Sequence, residues 1–328
     1  MDGQQHVMPS GPATLLRTSA LTGRSRAQYA KLLGLLPGVD SRALEGISVS
    51  DWLADHSLRP DTEKVARALF RLTTYAADLD HLGADAAVAQ LQSASKAGVI
   101  YLDGGWGQLV DGLSRLVDVR RGVAARGIDA AAGRIGVQTD GGLLTAHSVV
   151  LAVGTPEAAR SLLPTDPGWG DLGEPVTAAC LDVGVVGVPS PGYVLGVDEP
   201  LYGTTQCPPA RQAPDGHGVV SVIRYQARSA AQDRPQLEDH LRQVGVSAED
   251  VVTSRFLAHM VVAGTIPRSD RGGLAGRPVV TATGIPGVFV AGDWVGSAGL
   301  LADASLASAR EAARASLVRL APGASIVA

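Results

Sequence analysis

The residue best placed for chemistry is an aspartate. Asp293 follows the apolar run Val288–Ala291 and Gly292; a loop carrying Gly296 and Gly299 comes next, then an alanine-rich stretch from Leu301 to Leu320. Strand, glycine loop and helix in that order aim free N–H groups and a positive dipole end at an anionic or electron-rich ligand. An acid at the carboxyl end of a strand stands on the rim where open α/β sheets hold their ligands. A plain buried βα unit with a turn aspartate has the same pattern, so both readings stay open on pattern alone. Other chemistry is poorly supported. The seven histidines are scattered without ligand spacing, so no metal site is expected, and neither a GxSxG elbow nor a P-loop occurs. No side chain is assigned as catalytic.

Several elements must position this rim. The final helix is expected to bury Leu306, Ala309, Ala313, Leu317 and Leu320, which share one side at helical spacing. Upstream, Val99–Leu102 reads as a strand leading through Gly104-Gly105 into a helix with Leu109, Leu113 and Leu116. Alternating stretches over 122–128 and 134–139, with a turn at Asp140-Gly141-Gly142, predict a small meander. Ser148–Val153 is continuously apolar, as expected of a strand buried on both faces, and Thr155-Pro156 caps a helix. Residues 1–95 read as helices: Arg26–Leu36, a short one capped by Ser48 with Asp51, one opened by Pro60-Asp61 with Val65, Leu69, Leu72, Ala76 and Leu79 on one face, and Asp85–Ser95. Between 165 and 275 the strands are Val176–Val188, Tyr193–Val197, Val219–Tyr225 and Val251–Val262, around one helix, Pro235–Val244. The fold class is α/β with an α+β portion.

The wording of 286–313, PGVFVAGDWVGSAGLLADASLASAREAA, closely resembles the C-terminal flavin-binding segment of the FAD-dependent amine oxidase, phytoene desaturase and protoporphyrinogen oxidase superfamily. The resemblance implies that Gly292 and Asp293 contact the ribityl–pyrophosphate part of FAD. It implies that the Gly299–Leu300 turn leads to Leu301, Ala302 and Asp303, whose N–H groups meet the flavin ring, with Trp294 nearby. The GG-x-x-x-L-x-x-x-L start at Gly104 and the AV-x-x-P end at Ala152 are similar to the same superfamily. They imply an adenine contact at Ala125, a cofactor cleft along Ala152, Val153 and Gly154, and Gly104, Gly105 and Trp106 near the flavin or the substrate entrance. The implied domains are 1–97 (helical part of a substrate domain), 98–164 (middle of a Rossmann-like FAD-binding domain), 165–275 (substrate-domain sheet) and 276–328 (C-terminal FAD-binding segment).

The superfamily opens with strand–GxGxxG–helix, and this chain does not. Its one formal match, Gly168–Gly173, is hemmed by Pro164, Pro167 and Pro175 and predicts neither strand nor helix around it. The expectation is an N-terminally shortened copy lacking its first βαβ unit, with Ser148–Val153 and the strand ending at Ala291 left without a neighbour. The resemblance implies a FAD-dependent oxidoreductase passing a hydride from a small apolar substrate to flavin N5. Two alternatives stay open: a non-catalytic remnant that binds a lipid-like ligand or a partner, and a flavin amine oxidase. Amine oxidases commonly place a lysine near the flavin, and no lysine follows Lys96, which favours the desaturase-like side.

Composition sets the remaining bounds. A net charge of −4 gives no reason to expect nucleic acid. The two cysteines form no CxxC, no apolar run is long enough to span a membrane, and the first residues lack a signal pattern, so a cytoplasmic protein is expected. Peripheral membrane contact and oligomeric state stay open. Val7–Pro12 and Ala27–Leu36 could shelter an apolar ligand, with core packing as the competing reading.

Overall fold

The computed structural model describes residues 1–98, 100–131 and 134–320. Five helices come first: α1 (Pro12–Arg17), α2 (Gly23–Leu35), α3 (Val49–Asp55), α4 (Pro60–Thr74) and α5 (Ala84–Ala97). They enclose a core that includes Leu32, Trp52, Phe70, Leu82 and Val88. Ser48 caps α3, accepting from Asp51 N at 3.0 Å and donating to the Asp51 carboxylate at 2.7 Å. Helix α4 ends where Tyr75 takes φ +60°. Ala76 and Leu79 are buried as expected, but beyond the helix end.

The strand expected at Val99–Leu102 does not form over 100–102; Val99 lies outside the described residues. Ile100 is 83% exposed, and an apolar run without a partner edge has no ladder to join. Helix α6 (Trp106–Ser114) follows and buries no residue. Then β1 (Ala125–Ala131), β2 (Arg134–Thr139) and β3 (Gly142–Ala146) form the predicted antiparallel meander. Strand β4 (Val149–Leu151) leads to α7 (Pro156–Leu162), whose cap is Thr155 Oγ1 accepting from Ala158 N at 3.1 Å.

The second sheet runs β5 (Val176–Val186), β6 (Tyr193–Leu195), β7 (Leu201–Cys207), β8 (His217–Tyr225) and, after helix α8 (Ala230–Val244), β9 (Val251–Ala263). Its order is β6-β7-β8-β5-β9, all antiparallel, with α8 packed on the face carrying Leu181, Val183, Val220 and Val222. Strand β7 is absent from the sequence reading. Gly203 breaks its apolar pattern because a Cβ there would lie 2.9 Å from Val222 and collide with Val244. Helix α8 starts five residues before Pro235, at a Ser229 cap boxed with Gln232.

Strand β10 (Val288–Val290) then pairs parallel with β4, and α9 (Leu301–Leu320) closes the described chain. The two strands therefore have each other, contrary to the expectation that both lack a neighbour. The outer edge of β10 is partly satisfied, since Val290 N donates to Val280 O at 2.9 Å. The far edge of β4 is open: Val149 N and Leu151 O face β10, so the backbone groups of Val150 face away, and no strand pairs there among the described residues. Val150 is 40% exposed, so β4 is not buried on both faces. Helix α9 also departs from expectation. It packs inward through Ala304, Ser308 and Ala312, while Leu306 (61%) and Leu317 (66%) are exposed with Ala309 and Ala313; the side chain of Leu320 is outside the described residues.

Candidate functional site

Asp293 stands just past the carboxyl end of β10, where the parallel pair opens. Each of its carboxylate oxygens lies 3.1 Å from Gly264 N, which donates to the carboxylate. Gly264 is the first residue after β9, so the long strand of the larger sheet delivers that donor to the rim of the smaller one. Burial pushes the Asp293 carboxyl above its ordinary range, with the Gly264 N–H and the Arg277 charge opposing.

Gly264 also shows why the cluster is tight. A Cβ there would lie 2.6 Å from Gly154 O and 3.0 Å from Asp293 Oδ1, and would strike Trp294 Cδ1. Gly154, Gly264, Asp293 and Trp294 thus converge, and the exposed residues Ala152 and Val153 lead into the convergence from β4. Trp294 is a wall of the core and not of a cleft. It is fully buried, its ring 5.1 Å from Trp169 at 68°, and its Nε1 has no partner among the described residues.

Arg277 holds the loop after Asp293 and is missing from the sequence reading. It is 6% exposed, donating from Nη1 to Asp293 O at 3.0 Å and from Nη2 to Gly299 O at 2.7 Å. Burial pulls its pKa down to about 10, against the pull of Asp293 and Asp85. The one sequence signal was an arginine immediately before Pro278 in the segment that re-enters this layer. Ser308, also missed, accepts from Gly292 N at 3.0 Å and ties α9 to the end of the strand.

With its ends fixed, the loop presents backbone donors. Gly299 and Leu301 take φ values of +63° and +54°, and the N–H groups of Leu300, Leu301 and Ala302 meet no acceptor among the described residues. Asp303 differs, because its N–H turns back to Leu300 O at 3.1 Å. A carboxylate beside a row of free N–H groups at the start of a 20-residue helix can hold a polar, electron-rich ligand from two sides.

Other expected site residues lie apart. Ala125 opens β1 and faces Thr139. Gly104 donates to Arg211 O at 2.8 Å, and Arg211 also clamps Asp103 at 2.9 Å, so Gly104-Gly105 belongs to the turn against the 208–212 loop. Trp106 is 65% exposed on α6. None of these four shares a hydrogen bond with the Asp293 cluster among the described residues. The Gly168–Gly173 match forms a short 3₁₀ turn, Trp169–Leu172, with Gly168 N donating to Asp166 at 2.9 Å, a poor seat for a phosphate. No group of potential metal ligands and no helix long and apolar enough to cross a membrane occurs among the described residues. Both cysteines are buried and unpaired.

No protein-family model and no curated protein matches this chain. Solved structures do. An oxidoreductase from Methanosarcina mazei matches with a TM-score of 0.66 at 15% identity, over 90% of this chain and 74% of that one. A putative protoporphyrinogen oxidase from Exiguobacterium sp. 255-15 matches with a TM-score of 0.65 at 18% identity, over 96% and 78%. Cyclohexylamine oxidase from Brevibacterium oxydans IH-35A matches with a TM-score of 0.60 at 14% identity, over 88% and 75%. The chain shares their α/β fold.

Proposed function

We propose that this chain is the greater part of a FAD-dependent oxidoreductase of the amine oxidase-like superfamily, acting on an apolar substrate. The observation that carries the reading is the Asp293 cluster: a carboxylate held by Gly264, a loop stapled by Arg277, and the unpaired N–H groups of Leu300, Leu301 and Ala302. Those donors fit the polar edge of a flavin ring, and the carboxylate fits the hydroxyls of its ribityl chain. Nothing among the described residues fits the diphosphate, since the single glycine-rich match is a turn beside Asp166.

When bound, the flavin supplies the hydride acceptor. The chain's own part is to orient and to exclude water. Gly292, Asp293 and Ala302 would hold the cofactor, Gly264 lets Trp294 and the Gly154 carbonyl close on Asp293 by lacking a side chain, and Arg277 keeps the loop carbonyls turned inward. No described side chain stands out as a general base.

The flavin-competent unit would be larger than these residues. The open edge of β4 and the apolar outward side of α9, Leu306 with Leu317, call for a further strand and a covering layer. That layer is where diphosphate contacts would come from. The same uncovered surface favours a second reading, a binding remnant that does not retain FAD.

A FAD titration of the purified chain separates the two. The first reading expects flavin bands, at roughly 370 and 450 nm, to co-purify or to appear on adding FAD, and Asp293→Ala to weaken retention at least tenfold. Retention unaffected by Asp293→Ala would overturn the assigned site. A chain that stays colourless supports the remnant.

A further inference from the structure

A second site lies in another part of the molecule. A crevice of about 920 Å³ opens between α4 and the β6 edge of the larger sheet, and residues 1–9 run across it without helix or strand. Its walls are chiefly apolar: Val7 and Met8 from the crossing segment, Val65 and Ala68 from α4, and Leu195 from β6. A volume of this size lies within the roughly 300–1,000 Å³ of pockets that enclose small organic ligands. None of the Asp293 cluster lines it, so it does not depend on the flavoenzyme reading.

Of the polar side chains that line it, among them Gln5, Tyr193 and Gln243, His240 is the buried one and sets the head group. His240, on α8, is 3% exposed and lines the crevice. Its Nε2 lies 3.2 Å from Val194 O, and a carbonyl only accepts, so Nε2 carries the proton and Nδ1 is left as a lone-pair acceptor. Burial holds the ring below its ordinary pKa, which keeps it neutral at pH 7. A neutral acceptor in apolar walls matches a ligand hydroxyl. A carboxylate would face that lone pair and, at the mouth, Asp198 and Glu199, whose charges are already paired with Lys64 and Arg224. An ammonium would have to leave water for apolar walls whose nearest carboxylates already have cationic partners.

The crossing segment is held by Met1, which packs against Leu21, Tyr29 and Val65, and by a few polar contacts, His6 Nδ1 with Ser19 Oγ at 2.8 Å among them. Asp2 N donates to Asp198, Lys64 Nζ reaches Asp2 at 3.2 Å and Asp198 at 3.0 Å, Gln5 Nε2 donates to Gln243 O at 3.2 Å, and Tyr193 OH donates to Met8 Sδ at 3.1 Å. Exposed ion pairs of this kind hold only weakly. The segment can therefore swing aside to admit a ligand and close over it.

We propose that this crevice binds an aliphatic or alicyclic alcohol, its hydrocarbon part against Val65, Ala68 and Leu195 and its hydroxyl donating to His240 Nδ1, with residues 1–9 as the strap.

Calorimetric titration of the full chain with decan-1-ol, decanoate and decylamine tests it. Decan-1-ol should bind saturably at one site, with the other two at least tenfold weaker. Val7→Trp, at a position exposed enough to tolerate the change, should fill the crevice and reduce decan-1-ol affinity at least tenfold. Lys64→Ala should leave the head-group order intact and speed dissociation several-fold. The proposal is overturned if decan-1-ol does not saturate, if Val7→Trp binds it as the parent does with an unchanged circular dichroism spectrum, or if decanoate or decylamine binds as well as the alcohol.

Discussion

Gly264→Ala is the sharpest probe of the Asp293 cluster. The added methyl would sit 2.6 Å from Gly154 O and 3.0 Å from Asp293 Oδ1, and would strike the Trp294 ring, all inside normal van der Waals range. Backbone strain is not the issue, because Gly264 has no positive φ; the obstacle is what surrounds it. Trp294 is wedged against Trp169, Gly154 O belongs to the backbone, and the Asp293 carboxylate is bound to Gly264's own N–H. No neighbour can give cheaply, so the cost should fall at the upper end of the overpacking range, about 2–3 kcal/mol. That is about a 30-fold or larger rise in the unfolded fraction. Urea denaturation followed by tryptophan fluorescence reads it, with Gly34→Ala as control. Gly34 sits in α2 with nothing near its missing Cβ, so alanine there should stabilise by about 0.5–1 kcal/mol. If Gly264→Ala shifts stability by under about 0.5 kcal/mol, the convergence of β4, β9 and β10 at this glycine is wrong.

Further expectations follow from individual contacts. Arg277→Met removes two charge-assisted bonds, each worth about 1.5–3 kcal/mol, but also relieves a guanidinium whose pKa burial has pulled to about 10. The net loss should be about 1–3 kcal/mol, and limited proteolysis should cut the 293–299 loop faster. For Asp293 the folded pKa lies above the unfolded one, so the folded chain binds that proton more tightly. Its contribution is present at acid pH and is lost as pH rises from the ordinary carboxylate range through the raised value. Asp293→Asn should therefore gain on the parent between pH 4 and pH 7 in parallel urea melts of the cofactor-free chain; a constant difference would refute the shift. Tyr225 is fully buried and its hydroxyl has no partner among the described residues, so Tyr225→Phe should be neutral or stabilising by up to about 1 kcal/mol, as thermal melts would show.

Much of the architecture was legible because local chemistry and tertiary context agree. Ser48 and Thr155 cap where their side chains said they would, Asp140-Gly141-Gly142 turns the meander, and α9 spans Leu301–Leu320 as read. The failures share a cause: the deciding contact is distant in sequence. Strand β7 has no clear apolar alternation in the sequence, and its Gly203 is explained only by Val222 and Val244, which press on it from other elements. Val99–Leu102 reads as a strand, but residues 100–102 pair with no strand among the described residues. Arg277 has no motif of its own; its role exists only because Asp293 and Gly299 fold back onto it. Asp293 itself was legible, since strand, glycine loop and helix are adjacent in the chain, whereas Gly264 comes from the end of another sheet.

The misassigned face of α9 is the most informative failure. Spacing put Leu306, Ala309, Ala313 and Leu317 in the core, yet the helix turns Ala304, Ser308 and Ala312 to the β4–β10 pair and leaves that row outside. Small residues on the inward side let α9 approach closely enough for Ser308 to reach Gly292 N at 3.0 Å, which larger side chains would prevent. A helix with one side of small residues against a sheet and a second side of leucines is patterned as a middle layer. The open edge of β4 makes the same demand independently, in backbone rather than side-chain terms. If the demand is real, Leu306→Ser with Leu317→Ser should change the stability of these 328 residues by no more than about 0.5 kcal/mol, while sharply reducing binding of an apolar dye and any self-association. A large loss of stability in the double variant would mean that this row is already packed and that no layer is missing.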